Sequence, residues 1–267
     1  MARRCWPANG NSFKLRNNLP ATLPASREEL PAGNKKNMTS IQYYFTFDDG
    51  RELKFNVDLD RTFDPKKVPA DAPEWTRLGN NQCSNCPLDK AANSHCPAAL
   101  DIDQIAHGFQ GLPAFTKANV RVVTPEREYV KRVGLEEGVR ALMGLVMATS
   151  ACPVFGALKA SARMHLPFAA PHEFITRSAS MYLMRQYFIA REGGTPDWEL
   201  KGLIKTNEQL QLVNHAFWQR TVTAFQNDAN SKALLSFFTL SSSVSSSLDA
   251  QLAKVKPIFF PETPAAS

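Results

Sequence analysis

NVRVVTPEREYVKRVGLEEGVRALMGLVMATSACP, residues 119–153, changes its period halfway along. Val120 to Val123 and Tyr129 to Val133 are short apolar-rich runs, and Thr124-Pro125-Glu126-Arg127 between them is turn chemistry, so the three together predict a β-hairpin. From Leu135 the apolar residues Val139, Leu142, Leu145 and Val146 recur as they do on one face of a helix, and the stripe stops at Ser150-Ala151-Cys152. A chain that passes from strand to helix pattern at one point predicts a sheet before it and helices after it.

Towards the N-terminus, Ile41, Tyr43, Phe45 and Phe47 alternate with Gln42, Tyr44 and Thr46. Asp48-Asp49-Gly50-Arg51 turns the chain, and Leu53, Phe55, Val57 and Leu59 alternate again, which predicts another hairpin. A connection from Pro65 to Pro73 leads to Trp75 and a cysteine-rich loop, and a short helix is expected from Asp101 to Leu112, with Ile102, Ile105 and Phe109 on its apolar side. Towards the C-terminus, Pro153 is expected to open a short helix to about Arg163, and a longer one runs from about Pro171 to Arg191, ending before Gly193-Gly194. Asp197 can cap the longest helix, whose Leu203, Leu210, Val213, Phe217 and Ala224 share a face. A last helix from about Asn227 is expected to break at the Ser-rich stretch 241–247. The fold class is therefore α+β: a small antiparallel sheet of two β-hairpins with a Cys-rich loop, followed by a mainly helical C-terminal half. The expected divisions are a disordered basic tail at 1–37, a hairpin and Cys-loop region at 38–134, a helical region at 135–255 packed on it as one domain, and a disordered tail at 256–267. Met38, just before the first patterned segment, is an alternative start of translation.

The 267 residues carry a net charge of +6 with a pI near 9.1. Residues 1–37 hold seven Lys/Arg against Glu28 and Glu29, and so five of the six net charges. The rest is nearly neutral and has no basic stripe interleaved with aromatics, which argues against a nucleic-acid partner. No apolar run is long enough to span a membrane, and no apolar stretch follows the basic residues at the start as in a secretory signal. A cytoplasmic, reducing location is the expectation, and there clustered cysteines serve as ligands or redox thiols more often than as disulfides.

QCSNCPLDKAANSHCP, residues 82–97, holds three of the five cysteines, and Cys152-Pro153 holds a fourth. The two-residue spacer of Cys83 and Cys86 lets both sulfurs reach one metal, and Cys96 and Cys152 complete the four thiolates of a closed site. Proline is favoured at the first helical position, so Cys96-Pro97 and Cys152-Pro153 each place a cysteine at the N-cap of a following helix. There the helix dipole and free N–H groups stabilise thiolate. Cys83, Cys86, Cys96 and Cys152 are accordingly the candidate metal ligands, with an unidentified protein or redox partner. One CxxC with two distant Cys-Pro sites is nearer the irregular spacing of iron–sulfur ligation, such as a 4Fe-4S cluster, than the paired knuckles of a zinc ribbon. Zinc in a structural site stays open, as does a thiol–disulfide oxidoreductase, although the polar Gly79-Asn80-Asn81-Gln82 before Cys83 is unlike the buried strand that leads into a thioredoxin motif. Inert buried cysteines are the plain alternative. Cys5 lies in the tail, His95 is expected beside the site or exposed, and nothing in the spacing of His107 and His165 marks them as ligands.

The signatures GxGxxG, GxxxxGK[ST], GxSxG and HExxH are absent, and no Glu-x-x-His occurs for a di-iron site, so no catalytic residue can be assigned. Phe174, Met181, Tyr182, Met184 and Phe188 read as the core of their helix. Arg177 and Arg185 on the same helix could bind an anion, with solvated or ion-paired arginines as the alternative.

YYFTFDDGRELKFNVDLD (43–60), EWTRLGNNQCSNCPL (74–88), HCPAALDI (95–102), TPEREYVKRVGLEEG (124–138), MATSACPV (147–154), MHLPFA (164–169), SMYLMRQYF (180–188) and PDWELKGL (196–203) together resemble an uncharacterised bacterial family known only as a domain of unknown function. The resemblance spans roughly residues 40 to 225 and all four cysteines, with Ala151 standing where that pattern has glycine. It implies domain limits and a bacterial origin, and no activity.

Overall fold

Two hairpins meet edge to edge to make the sheet. The structure, a computed structural model, describes residues 40–260 except 223, 226, 227 and 247, so the expected N-terminal tail and most of the C-terminal one lie outside the described residues. Strands β1 (Ser40–Phe47), β2 (Glu52–Asp58), β3 (Lys117–Val123) and β4 (Glu128–Gly134) are all antiparallel in the order β2-β1-β3-β4. Gly50, at φ +83°, takes the left-handed position in the first turn. The register pairs Tyr43 with Phe55 and Val122, and Phe45 with Leu53 and Val120. Because side chains alternate across a strand, this puts Ile41, Tyr43, Phe45, Val120 and Val122 on one face, and all five are buried.

Helices α1 (Pro97–Phe109) and α2 (Leu135–Thr149) cover that face. The Phe109 ring meets Phe45 at 4.9 Å and Phe55 at 5.3 Å between centroids. Each fully buried aromatic of this kind contributes about 1.5–3 kcal/mol of hydrophobic stabilisation. Where α2 crosses the sheet it needs Gly138, since a Cβ there would lie 2.7 Å from Phe45 Cε1 and 3.1 Å from Val120 Cγ2.

The remaining helices are α3 (Lys159–Arg163), α4 (Pro171–Arg191), α5 (Lys201–Val222), α6 (Ala229–Ser246) and α7 (Leu248–Phe259). One cluster of buried side chains runs through the sheet, α1, α2, α5 and α6, and a smaller one joins α4, the start of α5 and α7. Asp197 serves α5 as expected, but from outside the cap position: its carboxylate accepts the N–H of Gly202 at 2.7 Å.

Several elements differ from expectation. Helix α1 starts at Pro97 rather than Asp101. The segment after Pro153 is a turn and a 3-10 stretch, Phe155–Leu158, before α3 begins. Helix α6 continues through the Ser-rich stretch to Ser246; Ser241 is buried there, within hydrogen-bond reach of the Gln211 and Asn214 amides of α5, so packing overrides the weak helix preference of serine. The last helix keeps Pro257 and extends to Phe259, past the expected limit at 255. On α4, Met184 and Phe188 are each 55% exposed, so they face outward and are not core.

Candidate metal centre

Three chain segments carry the four cysteines to one place. The loop 77–96 is closed at its neck by an antiparallel bridge between Arg77 and His95, with Leu78 N–H donating to Ser94 O at 3.0 Å and Cys96 N–H to Thr76 O at 2.8 Å. Inside it, Cys86 N–H donates to Cys83 O at 3.0 Å, which is the tight turn that a two-residue spacer allows. The Gln82 amide donates to Leu88 O at 3.1 Å, and the Asn85 amide reaches across to Gln209 O of α5 at 2.9 Å.

Cys96 is the N-cap residue of α1, with Pro97 at the first helical position, as expected. The N–H groups of Ala99 and Ala98 favour its thiolate form without closing into a side-chain cap hydrogen bond. Cys152 was expected to cap a helix too; it precedes a turn instead. Even so, the N–H groups of Phe155 and Val154 act on its sulfur in the same direction. The position of Cys152 is fixed through the C-terminal end of α2. There Arg61 donates to Thr149 O at 3.2 Å and to Val146 O, and pairs with Asp101 of α1 at 2.9 Å. These contacts tie the two cysteine-bearing helix ends together.

Cys83, Cys86, Cys96 and Cys152 are all free thiols, and all four line one small cavity together with Arg220. Cys96 and Cys152 are buried, whereas Cys83 and Cys86 form its half-buried wall. Apart from sulfur and guanidinium, the lining is apolar, with Leu78, Leu88, Val213 and Phe217 among it. The space open to the centre of a water molecule is ≈ 20 Å³, room for about one water. Among the described residues, no group of three or more Cys, His, Asp or Glu side chains is set to hold a metal ion as it stands.

Burial pushes the Cys83 thiol up to about 12, with repulsion from Cys96, Cys152 and Cys86 adding to it and Arg220 opposing. Burial likewise raises Cys152 to about 11, and it raises Cys96, against which Arg220 again pulls down. The thiols of Cys83, Cys96 and Cys152 are therefore protonated near neutral pH, and any ligation by them must displace protons.

Arg220 was not singled out by sequence reasoning. It is 1% exposed and donates to the carbonyls of Trp75 at 3.1 Å, Arg77 at 2.6 Å, and Leu78 and Asn81 at 3.5 Å, holding the base of the cysteine loop on α5. The signal was present: Arg220 follows Leu210, Val213 and Phe217 at helical spacing, so it falls on the buried stripe. His95 is buried, bonded to Ser94 Oγ at 2.9 Å, and does not line the cavity. His107 is exposed, whereas His165 is half-buried, lines a different cavity and pairs with the hydroxyl of Tyr43. Cys5 lies outside the described residues.

A family model described as a domain of unknown function (DUF6901) matches residues 41–260, which extends the likeness beyond the motifs through α7. No curated protein and no solved structure matches the chain.

Proposed function

The chain belongs to that family of unknown function, and on geometry alone we propose that it is a metal-binding protein whose four cysteines hold an iron–sulfur cluster for electron transfer or sensing. The observation that carries this reading is the convergence of four free cysteines from three chain segments on one apolar cavity, beside a buried arginine and two sets of backbone N–H groups. An oxidised four-iron cluster with four thiolates is a dianion, and these donors supply the positive potential that such a charge requires once water is excluded. Cys83, Cys86, Cys96 and Cys152 would be the ligands, and the cluster, when bound, supplies one-electron chemistry. In a cluster each thiolate binds a different iron, so its ligands need not crowd as they do around one ion, which accords with the absence of a group set for a single ion among the described residues. A cluster is larger than the space between the sulfurs, so loading would displace the half-buried Cys83–Cys86 wall.

That small volume favours a second reading: zinc, an ion no larger than the space, holding the loop in a structural or interaction protein. A thiol–disulfide oxidoreductase is less well supported, because an attacking cysteine needs a lowered pKa whereas Cys83 and Cys152 are raised.

Anaerobic purification with metal analysis and a visible spectrum separates these readings. Bound iron and sulfide with absorption near about 400 nm is expected, colourless protein with one zinc would replace the first reading by the second, and protein without either metal would overturn both. Cys152→Ser should lose most of the bound metal; unchanged content would remove Cys152 from the site.

A further inference from the structure

A second cavity, of ≈ 240 Å³, lies between α2, α3, α4, α5 and α6. It exceeds the roughly 150 Å³ cavity that admits a benzene molecule. Most of its wall is apolar, with Leu145, Leu158, Phe174, Met181, Leu203 and Phe237 contributing. Three guanidiniums, Arg140 of α2 and Arg177 and Arg185 of α4, share that wall, and no Asp or Glu does. Among the described residues none of the three forms an ion pair: Arg140 donates to Ser236 Oγ at 3.2 Å, and Arg177 through Nη1 to Met164 O at 3.3 Å. A carboxylate does contact one wall residue, Tyr182, whose hydroxyl donates to Asp197 at 2.8 Å, and that same carboxylate oxygen accepts the Gly202 N–H.

Arg177 carries the chemistry. Its Nε is buried without a hydrogen-bond partner, and since Nη1 is taken by Met164, what remains is the Nε–Nη2 edge. That edge presents two parallel N–H groups, the fork that matches the two oxygens of a carboxylate. Its neighbours within the fold add no opposing charge: His165 is held neutral by burial, and Tyr43 is buried beside it. A half-buried cation with a buried, unpartnered Nε beside an apolar chamber is the complement of a carboxylate with an apolar body.

We propose that this cavity is a binding site for a small amphipathic carboxylate, a short-chain aliphatic or single-ring aromatic acid, with its carboxylate on Arg177 and its apolar part against Leu145, Met181, Leu203 and Phe237. The proposal is independent of the cysteine site.

The test is titration calorimetry of the full-length protein with hexanoate and benzoate, their neutral amides and inorganic phosphate. At least one of the two acids should bind, with its amide weaker by at least roughly tenfold, the loss expected for a charge-assisted hydrogen-bond pair in a buried site, and phosphate should bind no better than the amide. Arg177→Gln should weaken acid binding by at least roughly tenfold while leaving metal content unchanged. Met181→Trp, which fills the chamber and keeps the charge, should also weaken it, and serves if the arginine variant does not fold. Failure of both acids to bind overturns the proposal, as do equal affinities for acid and amide, or phosphate binding as tightly as the acids.

Discussion

Arg220 is the residue on which the cysteine loop rests. Four carbonyls converge on one guanidinium that is 1% exposed, so removing it strips the carbonyls of Trp75, Leu78 and Asn81 of this donor, leaves Arg77 O to the Asn80 N–H, and deletes the cation that lines the cysteine cavity. Arg220→Met should cost roughly 3 kcal/mol or more in urea unfolding and lower metal content; a stability within 1 kcal/mol of the parent, again by urea unfolding, would show that the loop is held by other contacts. The thiols make a separate prediction. The folded pKa values of Cys83 and Cys152 lie above the unfolded value, so the stability these two contribute to the metal-free protein is complete below about pH 8 and is lost as pH rises towards their values near 12 and 11. Thermal unfolding of the metal-free protein should therefore fall with pH across the range 8.5 to 11 more steeply than in the Cys83→Ser, Cys152→Ser double variant, and parallel curves would contradict the burial of these thiols. At this scale the cysteines were legible because their types and spacing carry meaning within the chain. The partner of Arg220 was not, because four backbone carbonyls leave no mark on a sequence.

Among the elements, α2 is the most constrained. Its glycine at 138 allows the helix to lie against Phe45 and Val120, with no room for a Cβ. Gly138→Leu should destabilise by about 1–3 kcal/mol or more through overpacking, read as a shift in the midpoint of denaturant unfolding, and an unchanged midpoint would mean that α2 can move off the sheet at no cost. The hairpins, α2, α4 and α5 were readable because period and turn chemistry are local. Elements whose state depends on neighbours were not. The Ser-rich turns of α6 look like a break in isolation and are helical because Ser241 is buried against α5. Helix α4 presents the opposite case: Met184 and Phe188 are apolar enough for a core, yet α4 packs through Phe174, Ile175, Ala179, Tyr182 and Leu183, and so those two side chains point outward.

For the whole molecule, the cysteine site joins the sheet side to the helical half, since Cys83, Cys86 and Cys96 precede the switch at residue 134 and Cys152 follows it. Metal would thus act as a clamp on the 77–96 loop. Removal by chelator should lower the unfolding temperature and speed proteolytic cleavage within 77–96 relative to the loaded protein; equal cleavage rates with and without metal would argue against the clamp. The sequence disclosed this long-range meeting through the repeated Cys-Pro dipeptide alone. It disclosed the carboxylate-sized chamber only in part: Arg177 and Arg185 could be suspected from their helix, but the enclosing wall draws on five helices that no local pattern relates.

Helix α5, 22 residues long, spans about 33 Å. Leu203, Thr206, Asn207 and Leu210 line the arginine-rich chamber, and Val213, Phe217 and Arg220, starting less than one turn further on, line the cysteine cavity. The two cavities therefore share one helix. A displacement of α5 favoured by an occupant of one would reach the other, and by reciprocity of coupling an acid that altered the grip of the thiolates by a given factor would have its own affinity altered by the same factor.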